Sequence, residues 1–368
     1  MKGSVIKRGS KWAVVVDQGR DAAGKRIRKW HSGYPTKKAA EQARIEILSS
    51  MQNGVYVAPS KVTVAAWLAQ WLEGRTNLAE TSRGGYEADV KRISKGLGQI
   101  HLRDLSTSQI SAYWRDLGGS YAAKTIRNTQ GTLHKALADA VVHGVLARNP
   151  ADHVELPRSD SPEMETWNAS ELATFLSVAE RHRLSAAWRL MCSTGMRRSE
   201  VLGLRWRNID MDAGRLAVVD TVVPVRNKPV LRVGETKSRR SRRVVALDSR
   251  TVAVLREHRK LQNEERLRAG EAWENLDLAF TDEIGRIYDP NRFTRQTKEL
   301  AVKAGVSPLT PHAARHTWAT LALASGVHPK VVQERLGHSS IAITLDRYSH
   351  VIDGMDREAA ETVAALIR

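Results

Sequence analysis

The feature that most restricts how this chain can fold is a change in the period of its apolar residues, enforced at two breaks rich in proline and serine. Ahead of the first break, VYVAPSKV, two short β-rich runs at residues 12–17 (WAVVVD) and 25–30 (KRIRKW) flank the turn-like stretch GRDAAG, which predicts a hairpin. Thr36 then caps a helix reaching about Gln52, closed by Asn53-Gly54. Beyond Pro59 and Ser60 the period becomes helical, with Val64, Trp67, Leu68, Trp71 and Leu72 spaced to share one face. Period 2 and period 3.6 belong to different elements, so the β-rich start and the helical region beyond Ser60 are expected to form separate modules.

The helical signal continues through about 90 residues. A second helix is expected near residues 81–94, and Ser106 with Gln109 makes the capping box of a third, which turns Ile110, Trp114 and Leu117 inward. A fourth, about 123–143, repeats Ile126, Leu133, Leu137 and Val141 on one side and shows Lys124, Arg127, Asn128 and Lys135 elsewhere. A plain bundle with solvated charges would look the same, but its core has no use for those cations, whereas a phosphate backbone does. Asn149-Pro150 ends the bundle, and PRSDSP is the second break. A chain of 368 residues predicts two or three domains, and these breaks place them at 1–57, 63–155 and 163–368.

The last part opens with another capping box, Asn168 with Glu171. Two helices come after it, the second running into STGMRRSEVLGLRW, where Thr194-Gly195 forces a turn and Arg197 and Glu200 emerge three apart on a short helix. Glu200 can hold Arg197 or another cation through a charged hydrogen bond. Three β runs come next, RLAVVDTVV, KPVLRVGETK and SRRVVAL, with a hairpin turn expected near residues 237–240 that lets the Lys237 ammonium reach into a cleft. After helices near 248–267 and 290–304, Thr310 caps a helix that begins with Pro311 and ends by Gly326. On it His312, Arg315 and His316 share a face. A short helix from Pro329 to Gly337 delivers His338, and Tyr348 lies ten residues on, in a segment that Ser340 can cap. Met355, Ala359, Val363 and Leu366 form a final apolar stripe that must pack on something. The fold class expected is multidomain and mainly α: a small sheet plus helix, a four-helix domain, and a mixed domain with a small β-sheet.

Arginine is a permanently charged fork suited to two phosphate oxygens, histidine moves protons near pH 7, and tyrosine can form a covalent ester. Together they describe phosphoryl transfer without a metal. No carboxylate cluster has metal-ligand spacing, and the 12 His show no pairing with cysteine. The 58 Lys and Arg against 40 Asp and Glu leave +18, which favours a polyanion partner such as nucleic acid. The first 57 residues alone carry twelve basic and four acidic side chains. A membrane partner is disfavoured, because no apolar run of about 18 residues, signal-peptide core or lipidation motif occurs. The single Cys192 can form no internal disulfide and points to a reducing cytoplasm; a small buried core residue is its simplest role.

Five motifs, TGMRRSEVLGLRW, ETKS, PHAARHTWAT, LGHSS and LDRYSHV, resemble in order and spacing those of the tyrosine recombinase, or phage integrase, family across about 200 residues. The four-helix domain looks like that family's core-site binding domain. The first module is similar to an arm-site binding domain, which implies a three-stranded sheet plus a helix. The resemblance implies a site-specific DNA recombinase that cuts and rejoins strands through a 3′-phosphotyrosyl link, serving integration and excision of a phage or other mobile element. Tyr348 would be the nucleophile, Arg197 and Arg315 the phosphate clamp, and Lys237 the acid for the leaving 5′ oxygen. His312 would assist proton transfer at the tyrosine and His338 would donate to a phosphate oxygen, with Glu200 in support. Implied partners are double-stranded DNA at core and arm sites, a homotetramer on DNA, a host DNA-bending protein and an excisionase, in a bacterial cytoplasm and without an energy cofactor. Arg26, Arg28 and Trp30, alternating on one strand, are the residues expected to enter a groove, with Lys124, Arg127 and Lys135 on the helical domain. A type IB topoisomerase-like enzyme and an idle DNA-binding regulator are the alternatives. Ala313 and Ala314 depart from the Asp-Leu often found in the His-x-x-Arg motif, a change of local packing only.

Overall fold

The computed structural model describes residues 3–20, 24, 26–52, 61–156, 165–225, 228–232, 242–338, 340–342, 344–345, 364–365 and 367. Lys237, Tyr348, both linkers' central residues and the apolar tail stripe lie outside them. The chain divides into two compact units, residues 1–160 and 161–368.

The first unit begins with an antiparallel sheet in the order β1 (Gly3–Arg8), β2 (Lys11–Arg20), β3 (Arg26–Tyr34), followed by α1 (Lys37–Gln52). The residues alone suggested a two-stranded hairpin; β1 is the third strand, joined to β2 by a tight turn in which Gly9 takes φ +63°, a region open to glycine. Thr36 accepts from the Ala39 N–H at 3.2 Å and starts α1. Val14 and Val16 bury fully with Ala40 of α1, so the opposite face of β2 and β3, where Trp30 pairs with Val15 and Arg28 with Asp17, points away from that helix.

Four helices complete this unit: α2 (Val64–Glu73), α3 (Glu80–Leu97), α4 (Thr107–Gly118) and α5 (Ala123–Val142). Thr63 caps α2 through the Ala66 N–H, and Ser106 with Gln109 closes a complete capping box on α4. Trp67, Trp71 and Trp114 fill the space between helices, and each indole N–H finds an acceptor on α5: the Ala136 carbonyl at 2.8 Å, Asp139 at 2.7 Å and Gln130 at 2.7 Å. Such pairing lets large aromatics be buried without stranding a donor. It also sets α5 in the centre, leaving its far side to solvent.

The second unit is mostly helical: α6 (Ala169–Ala179), α7 (Ser185–Thr194), α8 (Arg198–Leu202), α9 (Ser249–Ala269), α10 (Pro290–Lys303), α11 (Pro311–Ala324) and α12 (Pro329–Leu336). Its strands are β4 (Ile209–Asp210), β5 (Arg215–Val218), β6 (Thr221–Val225), β7 (Lys228–Arg232) and β8 (Arg243–Ala246). They form two sheets, β4-β5-β8 and β6-β7, rather than one. The run RLAVVDTVV breaks because Asp220 is buried and its carboxylate accepts from the buried Arg205 Nε at 2.7 Å, which interrupts the strand. Consequently β7 pairs with β6 and β8 with β5, and the described runs either side of residues 237–240 do not pair with one another. Trp188 anchors the core, stacked on Phe293 at 5.0 Å with its N–H on Thr297.

Candidate active site

Two left-handed glycines frame the site. Gly195, φ +66°, ends α7 and reverses the chain so that Arg197 emerges at the N-cap of α8. Gly337, also φ +66°, ends α12 and is followed by His338. Both are consistent with glycine's freedom in that region. The space around Gly195 is tight: a Cβ there would meet Leu336 of α12 at 2.7 Å and Trp318 of α11 at 2.9 Å.

Arg315, on the third position after the His312 turn of α11, is 2 % exposed and ties the two glycine turns together. Its Nη1 donates to the Gly195 carbonyl at 2.8 Å and its Nη2 to the Leu336 carbonyl at 2.6 Å. These acceptors lie two residues before Arg197 and two before His338, so one buried guanidinium fixes the backbone leading to both. Arginine stays charged when buried, and carbonyl acceptors stabilise that charge.

Glu200 organises the cations on the other side. Its carboxylate accepts from the Arg197 backbone N–H and Nη1, each at 2.8 Å, and from Arg243 Nη1 at 3.1 Å and Nη2 at 2.8 Å. Arg197 cannot complete a capping box, since a guanidinium accepts nothing, but Glu200 still satisfies the helix's first N–H. Burial would raise the Glu200 pKa; the hydrogen bonds and charge of Arg243, then the charge of Arg197, outweigh it and hold it at about 2. Arg197 keeps 37 % of its side chain exposed, whereas Arg243 keeps 7 %.

His312 is exposed and His316, one turn along, is buried; their Nε2 atoms stand 3.2 Å apart, a separation that needs a proton between the rings. His338 is held by its main chain, which exchanges two 3.1 Å bonds with Gln333, and by a 2.9 Å contact between Nδ1 and Thr344 Oγ1. Beside it lies a cleft of about 350 Å³ lined by Arg242, Arg243, Lys330, Gln333, Glu334, Gly337 and His338. The structure thus brings Arg197, Glu200, Arg315 and His338 to one framework, with His312 on α11. Sequence reasoning missed Arg243; SRRVVAL offered two adjacent arginines next to others and no cue to which would meet a carboxylate 43 residues away.

The expected DNA-contacting residues belong to the first unit. Arg26 and Arg28 are exposed, Arg26 lying 3.9 Å from Asp17, and Trp30 is 49 % exposed with the Arg8 guanidinium over its ring at 5.8 Å. Lys124, Arg127 and Lys135 lie along α5, all three exposed, and the Lys135 ammonium sits 5.9 Å over the Tyr86 ring.

The family model described as "Phage integrase family" matches residues 165–354, and one described as "Arm DNA-binding domain" matches residues 4–51. The chain belongs to the phage integrase family. It is 32 % identical to a "Tyrosine recombinase XerC-like" protein of Caldanaerobacter subterraneus subsp. tengcongensis, with 98 % of each chain covered. Its fold resembles that of the Tn1549 transposon integrase bound to transposon right end DNA (TM-score 0.70, 20 % identity, 81 % of this chain and 99 % of that one). A lambda integrase tetramer bound to a Holliday junction is more distant (TM-score 0.58, 18 % identity, 93 % of each chain). Members of the family are DNA strand-transferring enzymes, and this integrase is one of them; neither the topoisomerase nor the idle-regulator alternative is favoured by these matches. Among the described residues no helix is long and apolar enough to cross a membrane.

Proposed function

We propose that this integrase recombines DNA at specific sites of a phage or other mobile element, with each part of the chain taking one task. Residues 1–57 bind arm sites through Arg26, Arg28 and Trp30. Residues 63–155 bind the core site through the α5 face bearing Lys124, Arg127 and Lys135. Residues 163–368 cut and rejoin. Tyr348 attacks the scissile phosphorus while His312 assists removal of its phenolic proton. The new bond is a 3′-phosphotyrosyl ester, the bond to the 5′ oxygen breaks, and Lys237 protonates that oxygen. Arg197 and Arg315 hold the non-bridging oxygens and stabilise the charge that grows on them, and His338 donates to one of them. A 5′-hydroxyl from the partner duplex then reverses the step, so bond energy is conserved and no nucleotide cofactor is needed. Four copies act together on DNA, in a bacterial cytoplasm on the host chromosome, with a host bending protein and an excisionase setting direction.

The observation that supports this reading is the pair of Arg315 bonds to the Gly195 and Leu336 carbonyls, which draws a second arginine and His338 toward Arg197. Positive charge gathered in this way replaces the role that Mg²⁺ plays in nucleases. To test it, DNA covalently captured by the protein from a library of nicked duplexes is sequenced, and two captured sites are placed on a supercoiled plasmid. Recombinant circles formed in excess EDTA are the expected result. Relaxation of any plasmid without recombinants would indicate a topoisomerase, and loss of cleavage restored by a divalent ion would indicate metal dependence.

A further inference from the structure

We infer that Arg243 is a positioning residue for strand cleavage: through Glu200 it fixes the Arg197 guanidinium, and through the end of α12 it couples that guanidinium to the turn bearing His338. The inference rests on the reading of Arg197 as a phosphate clamp. Arg243 heads β8 and is nearly sealed from solvent. Its Nη1 and Nη2 each donate to a different oxygen of Glu200, a two-pronged pairing that fixes the carboxylate plane as well as its place. Its Nε donates to the Arg335 carbonyl at 2.6 Å, and a Cβ added at Gly337 would stand 3.2 Å from its Nη1, so the α12 exit is packed on the same guanidinium.

Arg197 has a long side chain, more than a third of it open to solvent. Among the described residues Glu200 is the group that restrains it, and an isolated buried carboxylate would rotate toward Arg197 or take up a proton. With Arg243 present both oxygens are already oriented, so Oε1 keeps its 2.8 Å bond to Arg197 Nη1 while 37 % of the Arg197 side chain remains exposed. A clamp for a reacting phosphate has to be oriented before the charge develops, because reorganising during the reaction forfeits most of the electrostatic gain. Groups that orient metal ligands from one step away change activity by about 10–100-fold when altered, and a group that orients the clamp from the same remove is expected to act on that scale. Arg335 provides the contrast. It bonds the Ser193 and Ala246 carbonyls and covers the Trp318 ring, so it fastens α12 without touching Glu200.

The test uses the full chain on two versions of one captured nicked duplex. One carries the ordinary scissile phosphate and the other a neutral methylphosphonate there, which lacks the charge a clamp would neutralise. Single-turnover rates of covalent adduct formation are measured for wild type, Arg197→Ala, Arg243→Gln, Arg335→Gln and the Arg197→Ala/Arg243→Gln double variant. On phosphate, Arg243→Gln is expected to slow adduct formation by about 10–100-fold; on methylphosphonate the loss should shrink to within about threefold, as it should for Arg197→Ala. The double variant should be no slower than Arg197→Ala alone, since the two act as one unit. Arg335→Gln should lose equally on both substrates. Equal losses on both substrates for Arg243→Gln, or multiplicative losses in the double variant, would overturn the proposal. Should Arg197→Ala itself show no substrate dependence, the clamp reading fails instead. If Arg243→Gln does not fold, Arg243→Lys and Glu200→Gln are read by the same criterion.

Discussion

Replacing Gly195 with alanine should damage this enzyme more than the same change at an open glycine turn, and the cost divides into two parts. A left-handed backbone costs a residue bearing a Cβ about 1–2 kcal/mol. Gly195 has φ +66°, and its new Cβ would also press on Leu336 at 2.7 Å and Trp318 at 2.9 Å. Overpacking of that kind adds about 1–3 kcal/mol, for a sum of about 2–5 kcal/mol. At about 2–4 °C per kcal/mol for a domain of this size, the second unit should melt about 4–20 °C lower. Gly326 is the control: it has φ +79° with nothing within 4 Å of an added Cβ, so Gly326→Ala carries only the backbone cost and should lower the melting point by about 2–8 °C. The assay is calorimetric melting of both variants beside wild type, with adduct formation measured at a temperature where all are folded. There Gly195→Ala should also cleave more slowly, because the carbonyl that Arg315 holds has moved. Equal shifts in the two variants, or an unshifted and fully active Gly195→Ala, would refute the packing argument.

The remaining predictions concern charge, burial and the division of labour between modules. Glu200 has its pKa held at about 2 against the ordinary 4.5, so it contributes about 3 kcal/mol that is fully present above pH 4.5 and lost as pH falls toward 2; acid unfolding of Glu200→Gln should show a shallower pH dependence in that window. Burial pushes the Cys192 thiol up to about 12, with Arg189's charge opposing, so the native chain should leave a disulfide reagent untouched at about pH 8 and consume one equivalent once denatured. Deleting residues 1–57 should leave core-site cleavage near wild type while recombination falls sharply, because one chain no longer bridges two DNA segments; unchanged recombination by the truncated enzyme, with no footprint from the 1–57 fragment at stated salt, would remove the arm-binding assignment.

The features legible in the sequence are local. The caps at Thr36, Ser106, Asn168 and Thr310 each join atoms within four residues, and the structure has all of them. The glycines ending α7 and α12 declare themselves by conformation, since few other residues accept φ near +66°. The tryptophan stripe of α2 comes from period alone. The features that were not legible depend on distant partners. Asp220 splits a continuous apolar run because Arg205 waits for it fifteen residues earlier, and β8 finds β5 rather than its nearer neighbour β7. In the site, the pattern Arg197-x-x-Glu200 suggested a charged pair. The third member, Arg243, could be found only by folding the chain, because an arginine among arginines carries no mark of its partner.

The central claim is that Tyr348 becomes covalently joined to DNA while Arg197 and Arg315 hold the phosphate. It is tested most directly by incubating wild type and Tyr348→Phe with the captured nicked duplex, separating the products in denaturing gel, and sequencing the DNA-bearing peptide by mass spectrometry. The substitution removes one oxygen and little volume, so binding by gel shift should be retained. Wild type should yield an adduct whose modified peptide contains Tyr348 and whose DNA is attached through its 3′ phosphate, and Tyr348→Phe should yield none. An adduct that persists in Tyr348→Phe, or one that maps to another residue or to a 5′ phosphate, would contradict the account.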